Sequence, residues 1–193
     1  MDVTMRNQQE TMDISEADIG WLAGIIDGEG SVSLAFGFVR NGRLNNMSPR
    51  VEIGNTDKEL VEKFVRLVKA LGGGIYMSLK KESNQSKLVK AKKGRGFKPL
   101  YYAKAVGFLR TKKILDAVLP HLTGEKRHRA KLIMKFIDSR LKKNPKATGG
   151  RYAPYDAEDI TIAIEIAKTM KTKFMPILDG ILRDCTGPQQ KAA

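Results

Sequence analysis

The residues whose types and spacing could do chemistry lie in one ten-residue segment, 21–30, which reads WLAGIIDGEG. Its second half places two carboxylates, Asp27 and Glu29, on either side of a glycine, which makes the backbone flexible. Carboxylate oxygens are hard ligands of the kind that suits Mg²⁺. A DGEG sequence alone is also typical of a solvated turn, so its meaning depends on the residues before it.

A stripe of small residues leads into this turn. Four residues recur at i, i+3, i+4 and i+7 on one helix face: Gly20, Ala23, Gly24 and Asp27. Small side chains let the backbone of a second helix approach closely, although an ordinary, tightly packed core helix shows the same spacing. The stripe and the carboxylate turn, joined in one short segment, are far more specific than either alone.

The helix that carries the stripe has recognisable start and stop signals. Ser15 and Asp18 stand at capping-box spacing, which predicts a helix start at this point. We expect the helix to end near Ile26, because Gly28 and Gly30 follow.

Hydrophobic periodicity predicts the elements around this helix. Alternating residues indicate strands at 31–40 and 46–54, and a second hairpin at roughly 75–80 and 98–107. Helical spacing indicates helices at about 58–71, 110–119, 124–142 and 156–170. Helices segregated against an antiparallel sheet make the expected fold class α+β.

The 193 residues suit one domain with a sizeable core. We expect a flexible N-terminal tail over 1–14 and a domain over 15–175. Within it, the core covers 15–142 and a C-terminal helix about 156–170. Residues 176–193 form a C-terminal extension.

The charge balance indicates a polyanionic partner. Thirty-five Lys and Arg residues against 21 Asp and Glu residues give a formal net charge of +14, which most often accompanies nucleic-acid binding. One cysteine excludes an intrachain disulfide framework, and two histidines are too few for a histidine-rich metal centre. The sequence contains no run of 18 apolar residues, so it predicts no membrane span. The N-terminal residues do not look like a secretory signal. We therefore expect an intracellular protein, in the cytoplasm or nucleoid of a prokaryote or in an organelle matrix.

Residues 22–30 resemble the LAGLIDADG motif of homing endonucleases. Six residues stand as in the motif's name, and Ile25, Gly28 and Glu29 depart from it. The resemblance extends more loosely over about residues 15–142, because the family shares the predicted α-β-β-α-β-β-α order. It implies a homing endonuclease-like fold, with an antiparallel β-saddle and helices on one face.

The resemblance also implies a metal-dependent active site. Glu29 takes the position of the metal-binding acid, the Gly28 carbonyl binds the same ion, and Asp27 is mainly structural. The implied cofactor is Mg²⁺ or Mn²⁺, used to hydrolyse DNA phosphodiesters. Asn55 matches a residue that contacts active-site water, although a plain helix N-cap explains Asn55 equally. Lys126 matches the family's active-site lysine, and a snorkelling surface lysine is the alternative.

Outward positions of the predicted strands and their turn should face double-stranded DNA. Polar and cationic side chains of this kind make base-edge and phosphate contacts, although a solvated sheet face is the alternative. Eight cations against one acid in residues 80–98 favour DNA. The expected DNA-binding residues are Ser33, Ala35, Gly37, Arg40, Arg43, Asn46, Ser48, Arg50, Glu52, Tyr76, Ser78, Lys80, Tyr102 and Lys104.

A single motif copy predicts a homodimer. The family packs two motif helices together, so this chain must pair with itself, through Gly20, Ala23, Gly24 and Asp27, on a long, near-palindromic target. An intron-encoded endonuclease fits better than an intein-borne one, because Cys or Ser at the start and His-Asn at the end are missing. The alternatives are an RNA maturase, with intron RNA as partner, and a catalytically silent DNA-binding protein of the same fold.

Overall fold

A computed structural model describes residues 14–40, 44–80, 100–143, 154–170, 172 and 174–186, without the side chains of 76–80 and 185–186. The expected tail over 1–14 lies almost wholly outside these residues. So do the basic segment 81–99, Arg43 and the end of the expected extension. Among the described residues, no helix is both long and apolar enough to cross a membrane.

Six helices and one antiparallel sheet alternate along the described chain. The four strands lie in the order β1-β2-β4-β3, which confirms the predicted α+β fold. The elements are α1 (Glu16–Glu29), β1 (Gly30–Phe38), β2 (Leu44–Asn55), α2 (Lys58–Ala70), β3 (Tyr76–Lys80), β4 (Leu100–Val106), α3 (Phe108–Val118), α4 (Gly124–Lys143), α5 (Ala157–Met170) and α6 (Met175–Thr186).

Helix α1 continues three residues past its predicted end at Ile26 and passes directly into β1. Gly28 is helical, and Gly30 is extended with φ −94°, so neither glycine terminates the helix through a left-handed conformation. The N–H of Gly30 donates to Ile25 O and Ile26 O. A Cβ at Gly30 would lie 2.8 Å from Ile26 Cα, so glycine is needed there for close approach.

The strand register separates an apolar face from a polar face, as predicted. Val32, Val51 and Ala105 align across three strands and are fully buried beneath the helices. On the opposite face, Ser33 pairs with Arg50, and further pairs continue the row: Ala35 with Ser48, Gly37 with Asn46, and Glu52 with Lys104. Because directly paired residues point to the same side, the expected DNA-facing residues of β1, β2 and β4 share one surface.

The first half of β2 extends beyond β4 and would leave an open edge. Pro49 has no N–H to leave unpaired, and its carbonyl accepts bonds from Gly107 N (2.9 Å) and Thr111 Oγ1 (3.1 Å). Farther along, Met47 N donates to the hydroxyl of Tyr155 at 2.7 Å. The segment before α5 therefore supplies a hydrogen-bond partner to a part of the β2 edge that has no neighbouring β4 residues.

Two C-terminal helices complete the core, one more than the sequence predicts. Helix α5 packs on α4 and α6 packs on α5. Leu178 of α6 is fully buried, and Phe174, just before α6, lies 4.9 Å from the Phe38 ring centroid. Pro176 near the helix start and Leu178, Ile181 and Leu182 at helical spacing were the available signals.

A buried ion pair joins α4 to α5. Arg140 and Asp159 are both fully buried, and Arg140 Nη1 lies 2.8 Å from Asp159 Oδ2. The same nitrogen donates to Pro154 O at 2.9 Å, and the guanidinium lies over the Tyr155 ring. These contacts satisfy two charges that would otherwise be costly to bury.

We expect Asp159→Ala to lower the free energy of unfolding by about 3–5 kcal/mol, because it leaves the Arg140 charge buried and uncompensated. The matched control is Glu158→Ala, which removes a 60% exposed carboxylate that pairs with Lys143. It should lower the free energy of unfolding far less than Asp159→Ala does, because exposed ion pairs contribute little to stability. Urea unfolding measures both, and equal losses would contradict a dominant role for the buried pair.

Candidate active site and nucleic-acid interface

The end of α1 and the start of α4 bind each other reciprocally. Asp27, in the last turn of α1, accepts bonds at Oδ2 from Thr123 N (2.9 Å) and Thr123 Oγ1 (2.8 Å). Lys126, in the first turn of α4, donates from Nζ to Ile26 O (2.8 Å) and Asp27 O (2.5 Å). We call this set of contacts the α1–α4 clasp.

The α1–α4 clasp matches charge to helix polarity at both ends. The carboxylate of Asp27 lies at the N-terminus of α4, where the helix dipole is positive and N–H groups lack intrahelical acceptors. The ammonium group of Lys126 lies at the C-terminus of α1, where terminal carbonyls need donors. Each helix therefore supplies the cap that the other needs.

Lys126 also lies within electrostatic reach of Glu29. Burial lowers the pKa of Lys126, while the Asp27 carboxylate raises it, Arg129 lowers it and Glu29 raises it, in decreasing order of effect. The net effect lowers the pKa from its ordinary value. Because Lys126 binds the end of α1 that carries Glu29, the structure brings two of the three residues expected to be catalytic to the same helix end.

Glu29 is the last residue of α1, and its side chain is exposed, as is Gly28 beside it. Within the described part of the chain, the Glu29 carboxylate makes no hydrogen bond or ion pair. The carboxylate and the Gly28 carbonyl are hard oxygen donors and fit Mg²⁺ or Mn²⁺. The described residues contain no group of three or more His, Cys, Asp or Glu that could hold a metal ion.

Asn55 lies at the end of β2 and is not a helix N-cap. Asp57 caps α2, because its side chain accepts bonds from Glu59 N and Leu60 N. Asn55 Oδ1 instead accepts from Asp57 N at 2.9 Å, which fixes the turn. Since Ile53 pairs with Gly30, Asn55 lies at the sheet end where α1 delivers Glu29.

The small-residue stripe on α1 differs from the expected one at Ala23. This residue is only 1% exposed and packs into the protomer's own core, so it cannot line a surface. The exposed stripe is Gly20, Gly24 and Gly28, at i, i+4 and i+8, and a Cβ at any of them would meet nothing within 4 Å. Asp27 is half-buried and held by Thr123. The sequence spacing could not tell which side of the helix faced the core.

The polar sheet face contains a half-buried charged cluster of Arg50, Glu52 and Tyr102. Arg50 Nη1 lies 3.9 Å from Glu52 Oε2. Burial, with a hydrogen bond to Glu52, raises the pKa of Tyr102 far above its ordinary value. Among the described residues, Arg50 Nε and Glu52 Oε2 are buried without a hydrogen-bond partner, so the cluster has unused bonding capacity.

Other expected DNA-contacting residues lie in the turn after β1 and on β3, whose register with β4 fixes their positions. Arg40 is exposed in the turn that follows β1. On β3, the backbone pairs Tyr76 with Lys104, Ser78 with Tyr102 and Lys80 with Leu100. Arg43 lies outside the described residues.

The sequence did not identify two residues at or near the α1–α4 clasp, Thr123 and Arg129. Thr123 had a local signal, because threonine is a preferred residue immediately before a helix. No local signal pointed to Arg129, because its partners, Thr169 and Val32, lie far away in the chain.

Comparison with known proteins gives the same fold. Residues 16–93 match a family model described as a LAGLIDADG-like domain, and no curated protein matches the chain. The structure is similar to homing endonuclease I-CvuI in complex with its target, at 19% identity and a TM-score of 0.56, over 88% of this chain and 92% of that one. It is similar to homing endonuclease I-TnaI at 19% identity and a TM-score of 0.53, over 90% and 99%.

A third similar structure is longer. The I-SmaMI LAGLIDADG homing endonuclease bound to cleaved DNA matches at 15% identity and a TM-score of 0.55, over 91% of this chain but 50% of that one. At these identities the likeness shows the fold, which agrees with the fold expected from residues 22–30.

We expect Asp27→Ala to lower the free energy of unfolding by about 2–3 kcal/mol, because two hydrogen bonds to a charged acceptor are lost. Asp18→Ala, at the other end of α1, is the control and should cost about 1 kcal/mol or less, since its Ser15 contact is exposed. Urea unfolding compares them. Indistinguishable values would show that the α1–α4 clasp adds nothing beyond an exposed contact.

Proposed function

We propose that this chain, which carries a LAGLIDADG-like domain over residues 16–93, is a site-specific endonuclease that cuts double-stranded DNA with a divalent metal. The observation that carries the proposal is that Lys126 binds the carbonyls of Ile26 and Asp27, at the end of α1 where Glu29 is the last residue. At this helix end, the exposed Glu29 carboxylate can serve as a metal ligand, and the half-buried Lys126 ammonium group can serve as a cation for a developing anion. An intron-encoded protein with a long target fits this activity.

Each residue of the site has a role in phosphodiester hydrolysis. Glu29 and the Gly28 carbonyl would hold Mg²⁺ or Mn²⁺, which when bound polarises the scissile phosphate and activates water. Lys126 offsets charge that develops on the phosphate oxygens in the transition state. Asn55 orients water at the same end of the sheet, through the amide group that the turn leaves free.

The polar sheet face is the proposed DNA-binding surface. Short side chains along β1, such as Ser33 and Ala35, leave room for base edges, while Arg50 and Lys104 supply cations. The net charge of +14 favours association with the phosphate backbone. I-CvuI, which shares the fold, is described in complex with its target.

We further propose that two copies assemble around a near-palindromic target. The exposed glycine stripe, Gly20, Gly24 and Gly28, leaves the α1 backbone open to close approach by a second helix. One chain also lacks a full set of metal ligands among its described residues, and it spans only half of I-SmaMI. Pairing through α1 would bring two Glu29 residues together.

We expect Glu29→Gln to lower the cleavage rate by roughly 10²-fold or more, because the amide lacks the charge of a metal ligand. Target binding should be retained, because the amide is nearly isosteric with the carboxylate. The assay incubates a randomised duplex library with protein and Mg²⁺ and sequences the ends produced. Glu16→Gln, an exposed position at the other end of α1, is the control and should cut normally. Binding without cleavage by the wild-type protein would indicate a catalytically silent DNA-binding protein instead.

We expect Gly24→Leu to leave the protomer folded but to prevent dimerisation and cleavage. A side chain at Gly24 meets open space within one protomer, so it disturbs only what approaches α1 from outside. Gly180→Leu on α6, which also meets open space, is the control and should remain dimeric. Analytical ultracentrifugation with target DNA measures the state. A Gly24→Leu variant that dimerises and cuts like the wild-type protein would refute pairing through this stripe.

A further inference from the structure

We propose that Arg129 is a positioning residue for cleavage, which fixes the helix carrying Lys126 against the strand that follows Glu29 by binding the last turn of α5. The proposal rests on the proposed endonuclease function. It assigns to the C-terminal helices a part in the reaction, although none of their residues is expected to touch DNA or metal at the active site.

The guanidinium group of Arg129 joins three elements. Its Nε donates to Thr169 Oγ1 at 2.8 Å, and its Nη2 donates to Thr169 O at 2.6 Å. Its Nη1 reaches Val32 O at 3.5 Å. Because Arg129 belongs to α4, Val32 to β1 and Thr169 to α5, one side chain ties all three together.

The acceptor side of this contact is well defined. The hydroxyl of Thr169 donates its hydrogen to Ile166 O at 2.7 Å, so its oxygen can only accept from Arg129. The carbonyl of Thr169 lies in the last turn of α5, where it has no intrahelical donor and the helix dipole favours a cation. A planar guanidinium group fits this paired arrangement, whereas an ammonium group cannot reach all three acceptors in the same geometry.

The contacts of Arg129 with Thr169 and Val32 lie where they can influence the active site. Arg129 lies one helical turn after Lys126, and Val32 is three residues after Glu29 in a chain that passes from α1 into β1 without a loop. A shift of α4 along β1 would therefore change the separation between the Lys126 ammonium group and the Glu29 carboxylate. Misplacements of about 1 Å at such groups can cost roughly 10²-fold in rate.

The other end of the α4–α5 interface provides a matched comparison. Ser139 Oγ on α4 donates to Asp159 Oδ1 of α5 at 3.3 Å. Ser139 lies 13 residues beyond Lys126, about 20 Å along the helix. Removing this hydroxyl loosens the same helix pair without touching the end near Lys126.

The test compares Thr169→Val with Ser139→Ala in single-turnover cleavage of the selected target with Mg²⁺. We expect Thr169→Val to slow cleavage by roughly 10-fold, with target affinity unchanged, Ser139→Ala to cut like the wild-type protein, and Thr169→Ser to restore the rate. Arg129→Lys should slow cleavage at least as much as Thr169→Val, although it keeps the charge. Equal rates for Thr169→Val and wild type, or equal losses in both hydroxyl variants, would overturn the proposal.

A second readout does not depend on cleavage. Acylation of Lys126 by an amine-reactive reagent, followed by mass spectrometry, reports how firmly its ammonium group is held. Thr169→Val should raise the acylation rate several-fold and Ser139→Ala should leave it unchanged. Unchanged acylation in Thr169→Val would overturn the proposal. A wild-type protein that cuts no duplex would refute the endonuclease function itself, and the inference about cleavage with it, whereas an active wild type with an unaffected Thr169→Val refutes only the inference.

Discussion

The α1–α4 clasp is the constraint on which the rest of the site depends. Two helix ends that meet head to tail would each leave polar backbone groups unsatisfied, and here Asp27 and Lys126 satisfy them reciprocally. The same contacts fix the distance between the lysine and the end of α1. A residue expected to act in chemistry is thus also part of the fold, so that loss of activity on replacing it cannot by itself be assigned to chemistry.

The sequence predicted the fold where local patterns decide it. Alternation along β1 identified the buried Val32 and Leu34, and the motif with its capping signals identified α1, although the helix runs three residues past its predicted end at Ile26. Spacing alone could not show that Gly28 remains helical or that Ala23 faces inward, since both depend on what packs against the helix. Arg129 illustrates the limit, because its role arises from a contact 40 residues away in the chain.

On the polar sheet face, charged side chains are partly buried, although some of their atoms lack hydrogen-bond partners among the described residues. Arg50 and Glu52 are partly withdrawn from water, yet each retains a buried atom without a hydrogen bond to the residues that the structure describes. Such atoms are costly, and a partner that supplies matching donors and acceptors removes the cost. The ion pair with Glu52 also restricts where the Arg50 side chain can lie. A surface organised in this way loses less side-chain entropy when it is covered than one built from freely rotating lysines.

The hydroxyl of Tyr155 on the open edge of β2 has a consequence for how far the chain can be shortened. The core expected from sequence ends at residue 142, before Tyr155 and before Phe174, which covers Phe36 and Phe38. A fragment cut at that point would present an unpaired strand edge beside exposed aromatic rings, which is the arrangement that promotes strand addition between molecules. Truncation there would yield an aggregation-prone fragment rather than a minimal soluble domain.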